Sequence, residues 1–268
     1  MQLIHTIILA IVEGITEFLP VSSTAHLIIT AKLLGLKQTT FMQFFEIFIQ
    51  IGAIFAVFTI YLKELWQNKK LWILLIASFI PTGILGLLGS KLLKPLVFGN
   101  MTVIALALII VGVLFIIVEN MVEQGRAQNT SKKQRAYLKL FKTLDNMTIQ
   151  DAILIGALQA IAIIPGVSRS GAIILSMLLM HYKREDAVKY SFLLGLPTIS
   201  AAALHDAWDI KVWTLPTNLL APTIIATILS FIFAFLAVKW LINYVKNHDL
   251  KIFGWYRIVL GIAILLGL

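Results

Sequence analysis

Two carboxylates, four hydroxyls and an imidazole gather in the segment Glu13 to His26, EGITEFLPVSSTAH, whose flanks Leu3 to Val12 and Leu27 to Leu36 are almost wholly apolar. A charged side chain at membrane depth costs at least about 2.5 kcal/mol on insertion scales, so such groups face a cavity or a partner and mark a functional site by default. Glu13 and Glu17 are four residues apart and project from one helical face, a spacing that lets two carboxylates share a cation or a proton. Ionised together they need a metal, an arginine or water beside them. A transporter's proton or ion pair, or a carboxylate held by backbone, fits the same spacing. Ser22, Ser23 and Thr24 follow Pro20 where a new helix should start, and there free backbone N–H groups and the positive dipole end favour an anion. Capping alone accounts for any one of these serines. His26 lies three residues beyond Ser23 on the same side, within reach of a group bound at that tip, although a single histidine on an apolar helix is more often structural.

A second candidate stretch, Pro165 to Ala172, reads PGVSRSGA. Arg169 is the only basic residue between Ala152 and Met180, and its planar fork of donors between Ser168 and Ser170 suits phosphate oxygens. A salt bridge to Glu13 or Glu17 that neutralises the interior is the alternative, and an empty site can use that pair. Gly166 and Gly171 allow close backbone approach, and Gln50 in a neighbouring apolar run adds a further polar contact.

Residues so far apart in sequence can share a site only through the elements that carry them. With 268 residues, 59% hydrophobic, 13% charged and a mean hydropathy of +0.93, the chain cannot cover a soluble globule with polar surface and reads as an all-α polytopic membrane protein. Leu3 to Val12 lacks a preceding basic region and a cleavage site, so it is expected to be mature structure. The absence of cysteine excludes a disulfide framework, thiolate metal sites and a cysteine nucleophile. The net charge of +9 sits in loops, which argues against nucleic acid as a partner. Phe41 to Leu62, Leu71 to Leu92 and Met101 to Val118 each approach the ~20 residues that cross a bilayer core. Leu3 to Phe18 and Ser22 to Leu36 are short for crossings and are divided by Pro20, the pattern of a re-entrant hairpin whose tip lines a cavity.

A basic stretch from 119 to 147 follows, with Tyr137 to Phe141 readable as a short interfacial helix or as solvated loop. Then the opening repeats. At an offset of 146, Val12 to Thr24 lies without a gap over Leu158 to Ser170, matching Ile15 with Ile161, Val21 with Val167 and Ser22 with Ser168. Tyr190 to Leu204, Leu220 to Leu241 and Ile252 to Leu268 are three more apolar runs. Six transmembrane helices plus two re-entrant helical hairpins result, in one domain of two repeats, 1–120 and 148–268, joined by a basic cytoplasmic linker, 121–147. An odd number of crossings per half makes this an inverted-topology repeat, in which broken helices meet near the midplane. Lys63, Lys69, Lys70, the linker cations, Lys183, Arg184, Lys189, Lys239, Lys246, Lys251 and Arg257 fall on one face and outnumber Lys32, Lys37, Lys91, Lys94 and Lys211 on the other. By the positive-inside rule the first face is cytoplasmic and both termini lie outside.

EGITEFLPVSSTAH, FEIFIQIGAIFAV at Phe45 to Val57, PGVSRSG at Pro165 to Gly171 and FLLGLP at Phe192 to Pro197, in this order, resemble the undecaprenyl pyrophosphate phosphatases of the UppP or BacA type over essentially the whole chain. The resemblance implies a bacterial inner-membrane hydrolase that removes the terminal phosphate of undecaprenyl diphosphate. That reaction recycles the lipid carrier for peptidoglycan synthesis and confers bacitracin resistance. It also implies a divalent cation, Mg²⁺ or Ca²⁺, and a site opening to the periplasmic or exterior side. Glu13, Glu17, Ser23 and His26 match the family's first motif as catalytic positions, with Glu13 and Glu17 as metal ligands; Ser168, Arg169 and Ser170 match its second as substrate contacts, to which Ser22, Thr24 and Gln50 are added. One position departs: Ile173 stands where the family carries a threonine, which bears on a secondary phosphate contact or on turnover. The expected mechanism has Ser23 attacking phosphorus while Glu17 or His26 takes its proton, with direct water attack as the other route. A transporter or flippase of the lipid phosphate is the reading from another class. Expected partners are the polyprenyl diphosphate lipid, the bilayer and a second copy of the chain as a homodimer.

Overall fold

A computed structural model describes residues 3–37, 39–97, 99–127, 141–209 and 220–268. It is helical, with α1 Leu3–Thr16, α2 Ser23–Leu33, α3 Thr40–Gln67, α4 Lys69–Val97, α5 Met101–Ala127, α6 Ile149–Gln159, α7 Arg169–Leu179, α8 Arg184–Asp209, α9 Leu220–Tyr244 and α10 Lys251–Leu265. Among the described residues five helices are long and apolar enough to cross a membrane, within α3, α4, α5, α8 and α9, so the chain is a multi-pass membrane protein. Their outer faces expose Ile80, Ile84 and Leu88 on α4 and Ile224, Ile228 and Leu236 on α9, side chains suited to lipid and not to water.

The short helices pair as the prolines suggest. α1 stops at Thr16, residues 17–20 turn, and α2 restarts at Ser23. α6 opens with a capping box in which the Thr148 hydroxyl accepts from the Asp151 N–H and the Asp151 carboxylate answers on Thr148. A 3₁₀ turn, Ala160–Ile163, carries the chain to Pro165 before α7 begins. Both hairpins restart through a serine in left-handed backbone: Ser22 and Ser168, superposed by the 146-residue offset, each have φ of 73°. A non-glycine residue with positive φ costs on the order of 1–3 kcal/mol and persists where surroundings enforce it. Ser168 also caps α7, accepting from the Gly171 N–H at 3.2 Å, whereas Ser22 makes no side-chain cap.

Packing crosses between the halves. α1 lies along α9 and α6 lies along α4, while α3 packs on α8 and α9, and α5 on α10. The two hairpin contacts use the same device. A Cβ at Gly14 would strike the carbonyl of Ser230, and one at Gly156 the carbonyl of Ser78, so only glycine lets each half-helix approach its partner this closely. The Ser230 hydroxyl then donates to Ile49 and the Ser78 hydroxyl to Ala152, both at 2.6 Å.

Two expectations change. α5 continues to Ala127, well past Val118, so Glu119 is not a loop residue: it is buried, pairs with Arg184 and accepts the Leu250 N–H at 3.1 Å. The helix extends because Glu119 has a partner across the bundle, which local hydropathy cannot register. Arg257 does not sit with the loop cations; it is fully buried inside α10. Lys70 with Asp145, Lys189 with Glu64, Lys142 with Asp151 and Lys251 with Glu123 do pair at one end of the bundle. At the other end Lys32 donates to the carbonyl of Leu268. Residues 128–140, including most of the expected Tyr137 to Phe141 helix, and Lys211 lie outside the described residues.

Candidate active site

The two hairpin tips meet. A cavity of about 180 Å³ is lined by Glu17, Ser22, Ser23 and Thr24 from the first tip and by Ala162, Ile164, Pro165, Gly166, Ser168 and Arg169 from the second. Gln50 of α3 and Thr198, Ile199 and Ala202 of α8 close its sides. Two stretches 146 residues apart thus surround one space.

Glu17 is the hub. Its Oε2 accepts a 2.5 Å hydrogen bond from the Ser23 hydroxyl, and its Oε1 lies 3.4 Å from Nη2 of Arg169. One carboxylate therefore joins a hydroxyl on the first hairpin to a guanidinium on the second. Arg169 is aimed by more than charge: Nη1 donates to the Ser191 carbonyl at 3.1 Å, and the guanidinium lies 5.5 Å from the centre of the Phe18 ring. Gly195 of α8 makes the room, since a Cβ there would collide with the guanidinium. The side chains of both Arg169 and Glu17 are largely withdrawn from solvent, so their interaction is not screened as an exposed pair would be.

Glu13 sits behind this group. It is fully buried beside Glu17, and among the described residues neither of its carboxylate oxygens has an N–H or hydroxyl donor. A buried carboxylate without donors is expensive unless a proton or cation joins it. Two adjacent carboxylates form an oxygen donor set suited to a hard cation, which takes its remaining ligands from water or phosphate. Among the described residues no group of three or more acidic or histidine side chains forms a closed metal site.

The other expected positions divide. Ser22, Thr24, Ser168 and Gln50 line the cavity. Ser170 does not; it is buried, with its hydroxyl donating to the Leu19 carbonyl at 3.0 Å and lying 3.1 Å from the Ser168 hydroxyl, so it ties one tip to the other. His26 is also absent from the lining. Its Nδ1 lies 2.7 Å from the Ser22 carbonyl and its Nε2 2.7 Å from the Tyr256 hydroxyl, with the two rings stacked. A carbonyl only accepts, so Nδ1 carries the proton and Nε2 takes the tyrosine's. Neither nitrogen is free toward Ser23. Ile173 is fully buried in the main apolar cluster, away from the cavity wall.

Several residues of the site were not anticipated. Phe18, Ser191 and Thr198 carry no signal that separates them from ordinary membrane-helix residues. Tyr256 and Arg257 of α10 reach the tips from the end of the chain, and Arg257 did carry a signal: like Arg169, it is a lone cation within an apolar run.

Comparison with known proteins agrees over the same span. Residues 6–263 match the family model described as bacitracin resistance protein BacA. The chain is 43% identical to a protein of Aquifex aeolicus named undecaprenyl-diphosphatase, across 97% of this chain and 96% of the relative. Relatives of the same name from Persephonella marina and Wolinella succinogenes are 42% and 40% identical, each across 99% of this chain and at least 98% of their own.

Proposed function

The chain belongs to the bacitracin resistance protein BacA family, and from that premise we propose that it is an undecaprenyl-diphosphatase, hydrolysing the lipid diphosphate to the monophosphate and inorganic phosphate. The observation that carries this reading is the short bond from Ser23 to Glu17 beside Arg169, in a cavity formed by both hairpin tips. A hydroxyl held on a carboxylate is an activated nucleophile, and a guanidinium alongside is a phosphate-oxygen ligand.

In the proposed reaction the Ser23 oxygen forms a bond to the terminal phosphorus as the anhydride P–O bond breaks, and undecaprenyl phosphate leaves with that oxygen. The Ser23 proton passes to Glu17, already its hydrogen-bond partner. Glu17 hands that proton to the departing lipid phosphate and, ionised again, takes one from the water that cleaves the phosphoserine, returning it to the Ser23 oxygen as the Ser23–phosphorus bond breaks. Arg169 leaves its 3.4 Å contact with Glu17 for the equatorial oxygens, while Phe18 and the Ser191 carbonyl keep it aimed. The N-terminal N–H groups of α2, with Ser22 and Thr24, and those of α7, with Ser168, receive the remaining phosphate charge. Gln50 closes the side of the cavity. Glu13 and Glu17 would hold Mg²⁺ or Ca²⁺ against the diphosphate, where it would neutralise charge that two carboxylates otherwise repel. His26, with both nitrogens engaged, acts on the tip through the Ser22 carbonyl.

The reading extends to the architecture. The shared positive φ of Ser22 and Ser168, and the reciprocal glycine contacts of α1 with α9 and α6 with α4, support one membrane domain of two inverted repeats. In that arrangement α10, the shortest of the six crossings, pairs with α5. The cation-rich end is cytoplasmic, both termini lie outside, and the cavity opens outward.

Phosphate release from undecaprenyl diphosphate by purified protein in detergent tests the assignment. Activity that requires added Mg²⁺ or Ca²⁺, falls with chelator and is lost in Arg169→Ala is the expected result. No release above that of Arg169→Ala under any cation would overturn it, and a carrier that moves the lipid without cleaving it would give that outcome.

A further inference from the structure

Arg257 is buried completely in α10, yet among the described residues no carboxylate pairs with it. Its donors go to the backbone of both hairpins instead. Nη1 donates to the Pro20 carbonyl at 2.8 Å, and Nη2 to those of Gly166 at 2.5 Å and Val167 at 2.8 Å, while Nε has no partner among the described residues. Pro20 belongs to the first tip; Gly166 and Val167 belong to the second. One guanidinium thus bolts together the two turns that carry Ser23 and Glu17 on one side and Arg169 on the other.

Burying an unpaired guanidinium for packing alone is unfavourable, and an apolar side chain would fill the same volume at lower cost. The fork of donors is what an apolar residue cannot supply, because it holds three carbonyls at once. In a trans peptide the N–H points opposite to the C=O. Holding the Val167 carbonyl therefore fixes the direction of the Ser168 N–H, at the start of the helix whose end lines the cavity. The neighbouring Tyr256 reinforces the arrangement through His26 and the Ser22 carbonyl.

We propose that Arg257 is a positioning residue for the phosphatase, setting the register of the two tips so that the Ser23–Glu17 pair faces Arg169, without itself touching substrate. This rests on the phosphatase reading above. Displacement of reacting groups by about 1 Å can cost ~100-fold in rate. Arg257→Met should therefore lower kcat about 100-fold with KM changed less than about 3-fold, whereas Arg257→Lys, which keeps a donor but not the fork, should recover part of that loss.

The chain has no cysteine, which permits an independent distance measurement. Cysteines at Ile15 and Ile161, exposed positions on the two hairpins, would carry nitroxide labels, and their separation would be read by pulsed electron resonance. A narrow distribution with Arg257 that broadens or shifts in both variants, together with the kcat loss, is expected. An unchanged distribution overturns the proposal, as does a changed one with full kcat, or a rise in KM at constant kcat, which would make Arg257 a substrate contact. Should the parent protein release no phosphate at all, the phosphatase reading fails, while the distances still decide whether Arg257 joins the tips.

Discussion

Ser23 and Glu17 should fail as a unit. The hydrogen bond points the hydroxyl proton at the carboxylate that must receive it, so Glu17→Gln removes the acceptor and Ser23→Ala removes the nucleophile of a single step. General-base catalysis contributes about 10²- to 10⁴-fold. At 1.36 kcal/mol per tenfold, that is roughly 3–5 kcal/mol of transition-state stabilisation. Each single variant should lose a factor in that range, and the double variant should lose no more than the worse single one, because groups acting in one step are strongly non-additive. The tips should survive these changes: Arg257 and the Ser170-to-Leu19 bond hold them independently of Glu17, and a glutamine oxygen still accepts from Arg169. The assay is single-turnover phosphate release in detergent at saturating lipid, with acid-quench trapping of a phosphoserine. If Ser23→Ala kept activity within tenfold, or if the two losses multiplied, the covalent step would be refuted and water would be the attacking group.

Gly195→Ala places a methyl against the Arg169 guanidinium, and should lower phosphate release at least tenfold, even though alanine is favoured over glycine in a helix by about 1 kcal/mol; activity within twofold of wild type would show that Arg169 does not need its observed pose. Ile173→Thr, restoring the family's residue, buries a hydroxyl in the apolar cluster and should lower stability by about 1–3 kcal/mol with turnover changed less than about threefold. A large gain in turnover would place position 173 in contact with phosphate. Glu119→Gln removes the closest charge partner of the half-buried Arg184 and should destabilise the protein by about 1–3 kcal/mol, read as a lower unfolding temperature in detergent, with kcat of the folded fraction intact. An unchanged unfolding temperature would count against the pair's structural role.

What the sequence could disclose was what a hairpin discloses locally. Pro20 and Pro165 interrupt apolar runs, serines follow, and the 146-residue offset superposes Ser22 on Ser168, which proved to share a left-handed φ of 73°. Grouping Glu17, Ser23 and Arg169 also needed only residue types, since a carboxylate, a hydroxyl and a guanidinium stranded in apolar sequence have few places to go but one another. The engagement of His26 was not legible, because Tyr256 is 230 residues away and one more tyrosine in a membrane helix is unremarkable by composition. Glu119 was read as linker for a similar reason, its partner Arg184 being 65 residues distant.

Arg257 is the instructive case. Its signal equalled that of Arg169, yet counting it as a loop charge hid it. The positive-inside rule counts cations near the ends of crossings, and Arg257 lies seven residues beyond Leu250, where a loop and a short helix look alike. Removing it from the tally leaves the bias standing, because Lys70, Lys142, Arg184, Lys189 and Lys251 are all paired at the one end of the bundle. Those cations have acidic or carbonyl partners at the rim; Arg257 has three tip carbonyls and no acid. A lone cation in an apolar run, matched first against backbone turns elsewhere in the chain, is therefore better evidence for a built site than for topology.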